Sequence, residues 1–160
     1  RSYGEGSMIS ADGRKTEYYR WTQLGIAYAK KVEEFIEDYK YSGCRLYVSP
    51  SAENLRETLY AYGFKDDEIK KIVSIDCDRH ALFVTEMKKG ENTAFMILNA
   101  YDDALCNELY EASEVNVCFD KEVGQIEVYR NGVTKRLKIE NGSYRDRLIP
   151  GEAIFVKIVK

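Results

Sequence analysis

The sequence predicts an α+β protein in which a long N-terminal amphipathic helix and short helices pack on an antiparallel β-sandwich of about seven to eight strands. Three observations support this fold class. Apolar residues recur at helical spacing over residues 16–40, whereas residues 126–159 alternate as strands do and carry turn dipeptides between the runs. The unbroken apolar run at residues 94–98, and the closing run at residues 153–159, which is apolar on nearly both faces, are typical of strands inside a sheet rather than at its edge.

The predicted helix spans residues 16–40, with Thr16 as its N-cap. Its apolar residues recur at steps of three and four, which places them on one face: Trp21, Leu24, Tyr28, Val32, Phe35 and Tyr39. The chain that follows supplies only part of the surface that such a helix needs. We therefore interpret residues 1–43 as a loop and a long helix that needs a further surface to pack against.

Residues 44–160 are predicted to form the sandwich, with an inserted helical segment near residues 51–72. A short strand at residues 45–49 precedes the insertion. The insertion is predicted to contain a helix that Gly63 ends, followed by a further helical turn or two over residues 66–72. The second of these rests on charge order, because acidic residues come before lysines, as a helix dipole favours.

The other strands are predicted from alternation and from turn dipeptides; they cover residues 73–76, 81–87, 93–99, 115–119 and the runs between residues 126 and 159. Asn131-Gly132 and Asn141-Gly142 each lie between alternating runs, and Asn-Gly supplies the two positive φ values of a type I′ hairpin turn. We expect these turns to set the strand pairing. Residues 101–113 are compatible with either a short helix or a long connection.

The composition argues against two classes of partner. The chain has 24 basic and 27 acidic side chains and a formal net charge of -3, so it lacks the basic surface that nucleic acids or anionic membranes require. We recognise no signal-peptide pattern and no apolar run of transmembrane length in these residues. Thirteen tyrosines suit half-hydrated surfaces, which include protein interfaces, sugar contacts and ordinary sheet faces.

The four cysteines do not have the spacing of a metal site. Cys44, Cys77, Cys106 and Cys118 lie far apart, with neither a C-x-x-C pair nor a histidine cluster, so we expect no zinc and no other cofactor. Two disulfides are formally compatible with this count, but reduced and mostly buried thiols are preferred for a domain of this length. Reduced thiols slightly favour a cytoplasmic over a secreted location.

The candidates for catalysis each have a simpler structural interpretation. His80 is the only histidine, and an enzyme built on this chain would use it with Asp76 or Asp78. The preferred interpretation is a polar loop between two strands. Glycosidases also use two carboxylates, but those face each other across a sugar, whereas adjacent acids more often start a helix or form a turn, as we expect for Asp66-Asp67 and Asp102-Asp103.

Four stretches together carry a family resemblance. Residues 6–19 contain Asp-Gly and then Tyr-Tyr before the long helix; residues 94–99 form a strand that ends in Asn; residues 126–132 form a hairpin with Val, Tyr and Asn-Gly; residues 148–155 contain Pro-Gly-Glu. In this order they resemble the last barrel helix and the following sheet domain of beta-galactosidase-like TIM-barrel glycoside hydrolases. The resemblance implies that residues 1–43 are the end of a preceding barrel domain. The insertion near residues 51–72 has no counterpart in that family.

The resemblance implies a non-catalytic C-terminal accessory domain of a glycoside hydrolase, which supports the catalytic barrel of the same polypeptide during carbohydrate degradation. The catalytic carboxylates of such an enzyme would lie upstream, so no catalytic residue is assigned here. Tyr3 and Glu5 would then border the substrate pocket. The alternative is a carbohydrate-binding module that uses exposed tyrosines, including Tyr129, Tyr144 and those of the helix. Assembly into a homo-oligomer is left open.

Overall fold

The structure, a computed structural model, describes residues 8–100 and 112–159. The chain divides into two compact units, Arg1–Glu37 and Asp38–Lys160. The boundary lies slightly before the predicted one at residue 43, because residues 40–43 belong to the first strand of the second unit. The ambiguous residues 101–111 lie outside the described part of the chain.

The first unit contains a tight turn followed by helix α1, Glu17–Phe35. In the turn, the Asp12 carboxylate accepts a hydrogen bond from the Ser10 hydroxyl, and this bond holds the pKa of Asp12 below its ordinary value. Helix α1 has 19 residues and is therefore shorter than predicted. Asp38 takes a positive φ of 64°, which a helix cannot continue through, and the chain then extends.

The second unit contains nine strands and one α-helix among its described residues. The strands are β1 Lys40–Val48, β2 Ile72–Cys77, β3 Ala81–Lys89, β4 Asn92–Asn99, β5 Ser113–Phe119, β6 Gln125–Arg130, β7 Val133–Lys138, β8 Ser143–Leu148 and β9 Ala153–Val159. Helix α2 spans Glu53–Ala61, as the apolar spacing predicts, and it precedes Gly63, which has a positive φ of 89°. Short 3₁₀ turns occupy Pro50–Ala52 and Glu140–Gly142.

All strand pairs are antiparallel, in two sheets. The larger sheet has the order β1-β3-β4-β9-β6-β7, and the smaller sheet has the order β2-β5-β8. The predicted interior positions of β4 and β9 are confirmed, since each has a neighbour on both sides. The described part of the chain therefore has an α+β, sandwich-like fold, as the sequence predicts, with slightly more strands than expected.

Only the first of the two Asn-Gly turns forms a hairpin. Asn131 and Gly132 both have positive φ, and they join β6 to β7 in register. Asn141 and Gly142 also have positive φ, but they carry the chain out of the larger sheet into the smaller one, where β8 pairs with β5. The prediction that this second turn pairs its flanking strands is wrong, because a local turn geometry does not decide which sheet the next strand joins.

The prediction of helical turns over residues 66–72 is also wrong. Residues 64–69 have no regular secondary structure, and Ile72 begins β2. Ile69 and Ile72 are both buried in the apolar core, so this segment runs along the sandwich rather than forming a surface helix. The acids that begin this charge order, Asp66 and Asp67, do not start a helix; they accept hydrogen bonds from backbone amides of β1.

The core lies between the two sheets. Its fully buried members come from both: Leu82, Val84, Phe95, Ile97, Ile126, Ile154 and Val156 from the larger sheet, and Val117 and Leu148 from the smaller one. The rings of Phe95 and Phe119 meet across the sheets with their centroids 6.4 Å apart. No helix among the described residues is long and apolar enough to cross a membrane.

Candidate functional site

The two residues that the resemblance places beside a substrate pocket, Tyr3 and Glu5, lie outside the described residues. Among the described residues, three other groups of polar side chains are candidates for a functional site. These are the acids beside β1, the ions at the end of β6, and the loop that contains His80.

The carboxylates of Asp66 and Asp67 lie along the free edge of β1. The Leu46 amide donates to Asp66 Oδ1 at 2.7 Å, and the Cys44 amide donates to Asp67 Oδ2 at 2.9 Å. The Asp67 amide in turn donates to the Cys44 carbonyl at 2.9 Å. These three bonds satisfy edge groups that would otherwise be available to another strand. The two acids thus act as an edge cap for β1.

Two tyrosines extend this edge cap to the surface. Tyr60 donates its hydroxyl hydrogen bond to Asp66 at 2.6 Å, and Tyr41 donates to Asp67 at 3.1 Å. Each of these bonds raises the pKa of the tyrosine involved, because the hydrogen bond favours the neutral phenol. Both rings remain exposed, with Tyr41 at 67 %. The result is a pair of accessible aromatic rings next to two carboxylates.

Gly43 allows this close approach. A Cβ at Gly43 would lie 2.9 Å from the Asp67 Cβ, inside any normal contact distance. A side chain at this position would push Asp67 away from the strand. Glycine is therefore needed at position 43 because Asp67 occupies the space of a side chain. Backbone conformation is not the reason, since the φ of Gly43 is not in the left-handed region.

The second group of polar side chains centres on Arg130 at the end of β6. Its guanidinium forms a two-pronged pair with Glu152, with Nε donating to Oε1 at 2.8 Å and a terminal nitrogen donating to Oε2 at 2.7 Å. The other terminal nitrogen donates to Asp146 at 2.7 Å. Glu152 and Asp146 are only 8 % and 19 % exposed. We call this cluster the Arg130 clamp.

The Arg130 clamp holds three segments of chain together. Glu152 also accepts the Ile149 amide at 3.1 Å, which fixes the Pro150-Gly151 turn. Arg130 donates to the Arg147 carbonyl at 2.8 Å, which ties the turn to β8. The hydrogen bond to Glu152 is the main reason that the pKa of Arg130 is raised. The carboxylates of this clamp are thus fully engaged in structure, and none is left to act on a substrate.

Tyr144 closes one side of the Arg130 clamp. Its hydroxyl donates to the second oxygen of Asp146. Burial and then this hydrogen bond raise the pKa of Tyr144, so its phenol stays neutral at physiological pH. Neither Tyr129, which is buried, nor Tyr144, which is half-buried, presents an open ring face of the kind expected for a sugar platform.

A groove opens next to Tyr144, between β7 of the larger sheet and β8 of the smaller one. Its volume is ≈ 430 Å³. The apolar part of its lining includes Val128, Val133, Leu137 and Tyr144. The polar part consists of three cationic residues, one amide and one acid: Arg130, Lys135, Arg145, Asn131 and Asp146. We call it the β7 groove.

The third group of polar side chains lies in the loop that contains His80. Asp78 Oδ1 accepts the Glu114 amide at 2.7 Å and the Ser113 hydroxyl at 3.1 Å, so it pins this loop to β5. His80 is buried, has a positive φ of 61°, and its carbonyl accepts the Ser49 amide. These contacts support the interpretation of a polar connecting loop. The enzyme hypothesis built on His80 with Asp76 or Asp78 gains no geometric support.

The described cysteines, Cys44, Cys77 and Cys118, are free thiols and half-buried rather than mostly buried, while Cys106 lies outside the described residues. In the described part of the chain, no group of three or more histidine, cysteine or acidic residues is placed to hold a metal ion. Burial, followed by the charges of Asp78 and Asp76, raises the pKa of Cys77 to about 11. The structure thus gives Cys77 a low fraction of reactive thiolate.

We expect Cys77 to react with iodoacetamide at pH 8.5 about a hundredfold more slowly in the folded chain than in urea, because the thiolate fraction falls about tenfold for each pH unit below the pKa. Mass spectrometry of the Cys77 peptide after timed alkylation measures this ratio. The unfolded chain is the matched control, since the peptide and reagent are the same. Equal rates in the folded and unfolded chains would contradict the prediction.

The sequence missed the Arg130 clamp and misread the edge cap. The sequence places Glu152 only in a Pro-Gly-Glu turn, and it predicts only a helix start or a turn for Asp66-Asp67. One usable signal is the residue type that follows: Ile69, Ile72, Val73 and Ile75 are β-branched, which favours a strand over a helix.

Comparison with known proteins adds no relationship to these observations. No protein-family model, curated protein or solved structure matches this chain.

Proposed function

We propose that this chain is a non-catalytic accessory domain of a glycoside hydrolase, and that it supports the catalytic barrel of the same polypeptide. The observation that carries the proposal is the use of the acidic side chains. In two clusters where the described structure brings carboxylates together, the edge cap and the Arg130 clamp, the carboxylates bind backbone amides and neighbouring side chains. Such carboxylates stabilise a sandwich and leave the hydrolytic step to another part of the enzyme.

Helix α1 supplies a second line of support. Trp21 is 61 % exposed, and Tyr18, Leu24 and Ile26 are exposed as well. Exposed large apolar side chains on one helix indicate a surface that a further partner covers. A barrel domain, whose own outer helices need apolar neighbours, is a partner of the right chemistry. The resemblance of residues 6–19 to the entry of a final barrel helix points to the same partner.

Trp21 gives a direct test, because it is the only tryptophan of this chain. We expect acrylamide to quench Trp21 fluorescence efficiently in the isolated chain. In a polypeptide extended through the upstream coding sequence, we expect at least a threefold lower quenching constant for Trp21, because a barrel would cover it. The same polypeptide with Trp21→Phe is the matched control, and its signal is subtracted to remove any upstream tryptophans. An upstream sequence that encodes no barrel, or equal quenching in both proteins, would contradict the proposal.

A second candidate is carbohydrate binding, favoured by the exposed Tyr41 and Tyr60 rings of the edge cap rather than by Tyr129 and Tyr144. Aromatic faces beside carboxylates are the usual contacts of a sugar, which stacks its ring and donates its hydroxyls. Isothermal titration against a panel of oligosaccharides tests it. Saturable heat that is lost in Tyr41→Ala and kept in Tyr62→Ala, a control at another exposed tyrosine, would favour this candidate. A flat titration from folded protein would remove it.

A further inference from the structure

The β7 groove lies between two strand edges that carry no neighbouring strand among the described residues. β7 is the last strand of the larger sheet, and β8 is the last strand of the smaller sheet. Between them the groove exposes apolar surface from Val133 and Leu137. A sandwich that is open at one side in this way has room for an additional strand whose side chains fill the groove.

The hairpin register shows which backbone groups of β7 are free for pairing. Arg130 and Val133 close the two-residue turn as a hydrogen-bonded pair. Val133, Lys135 and Leu137 therefore direct their amides and carbonyls toward β6. Thr134, Arg136 and Lys138 then direct their amides and carbonyls away from β6, to the open edge. The side chains of Val133, Lys135 and Leu137 line the groove on the alternate positions. An added strand would therefore hydrogen-bond to the backbone of Thr134, Arg136 and Lys138. Its side chains would pack on those that line the groove.

The surroundings of this edge are cationic. Lys135, Lys138 and Arg145 form no ion pair with any described residue, and Arg136 has only a 3.5 Å contact with Glu127. The acid nearest to the groove, Asp146, is already bound by Arg130 and Tyr144. The unpaired charge at the groove is thus positive, although the whole chain has a formal net charge of -3.

This charge argues against a second copy of the chain as the occupant. Antiparallel pairing of β7 with β7 would bring Lys135, Arg136 and Lys138 of each copy against the same residues of the other. Like charges that face each other across strands destabilise the pairing. The charge instead complements a strand that carries acidic residues.

We propose that β7 is a docking edge for an extended acidic peptide segment of a partner protein, which adds a strand to the larger sheet. On the side that faces the β7 groove, apolar residues of the segment pack beside Val133 and Leu137, and an acidic residue between them pairs with Lys135. Acidic residues at the other positions face the opposite side of the sheet, where Lys138 lies. β7 has six residues, so it presents an edge for a segment of similar length. This inference is independent of the glycoside hydrolase proposal.

The probe for the test is a fluorescein-labelled six-residue peptide of glutamates with valine at its second and sixth positions, measured by fluorescence anisotropy. On an added antiparallel strand the two valines face Leu137 and Val133, and the glutamate between them on that side faces Lys135. Two variants separate backbone pairing from charge. Thr134→Pro removes one amide from the open edge, where proline is tolerated, and leaves the β6 pairing intact. Lys135→Glu reverses the charge at the groove. Lys121→Glu, at an exposed position in the turn before β6, is the control for net charge.

We expect saturable binding, weakened about tenfold by each of the two edge variants and unchanged by the control, in line with about 1.4 kcal/mol for each lost contact. Hydrogen exchange should slow at the amides of Thr134, Arg136 and Lys138 when the peptide binds, and this readout does not depend on the variants folding well. The same peptide with lysine in place of glutamate should not bind.

Three results would overturn the proposal. The first is no binding at millimolar peptide. The second is binding that both edge variants leave unchanged, or equally tight binding of a single-stranded oligonucleotide, because a nonspecific polyanion site would then explain the charge. The third is concentration-dependent dimerisation without peptide that Thr134→Pro abolishes, because the edge would then serve a second copy of the chain.

Discussion

Arg130→Met is expected to lower the free energy of unfolding by about 3 kcal/mol, because it removes the only cation of a largely buried cluster and leaves the charges of Glu152 and Asp146 uncompensated. The guanidinium itself keeps some contact with solvent, so we place the effect at the low end of the range for buried ion pairs. Urea denaturation followed by circular dichroism measures the change.

Two further variants separate geometry from charge in the Arg130 clamp. Arg130→Lys keeps a positive charge but loses the planar two-pronged contact with Glu152, so we expect an intermediate loss of about 1.5 kcal/mol. In the double variant Arg130→Met with Glu152→Met, part of the loss should be recovered, because no charge then remains buried at that position. A full loss in the double variant, or no loss in Arg130→Met, would show that the cluster does not stabilise the fold as described.

Asp66→Ala is expected to lower the free energy of unfolding by about 2 kcal/mol, since it removes a charged acceptor from the half-buried Leu46 amide and from the Tyr60 hydroxyl. It also uncovers the free edge of β1. We therefore expect increased aggregation as well, seen as light scattering on heating, because exposed strand edges pair with other chains.

The controls for Asp66→Ala follow from its contacts. Asp66→Asn keeps an acceptor of the same shape, so the loss should be smaller, about 1 kcal/mol. Asp76→Ala, at an exposed aspartate in β2, should change stability by no more than about 0.5 kcal/mol. Equal effects of Asp66→Ala and Asp76→Ala would mean that the edge cap is incidental to stability.

The elements that the sequence predicted well are those whose signal is local. The hairpin at Asn131-Gly132, the interior strands β4 and β9, and helix α2 each follow from periodicity or turn chemistry within a few residues. Pairings over longer distances were not predictable in the same way. Asn141-Gly142 has the expected backbone geometry, yet β8 joins the smaller sheet, because pairing with β5 places Leu148 in the core.

The polar clusters show why the candidate sites were harder to predict than the fold. The Arg130 clamp joins residues from β6, β8 and the turn before β9, and no spacing rule connects these positions in sequence. The acids Asp66 and Asp67 have the composition of a helix start, but their hydrogen bonds go to a strand about 20 residues earlier. A polar residue's partner is set by the tertiary fold, whereas its residue type is compatible with several roles.

The measurement that tests the central proposal most directly is a glycosidase assay on two proteins: this chain alone, and a polypeptide extended through the upstream coding sequence. With a panel of aryl glycosides, we expect turnover by the extended polypeptide and none by this chain, because the carboxylates in its two described clusters are engaged in holding the sandwich together. Turnover by this chain alone, or no turnover by either protein, would contradict the account of a non-catalytic accessory domain of a glycoside hydrolase.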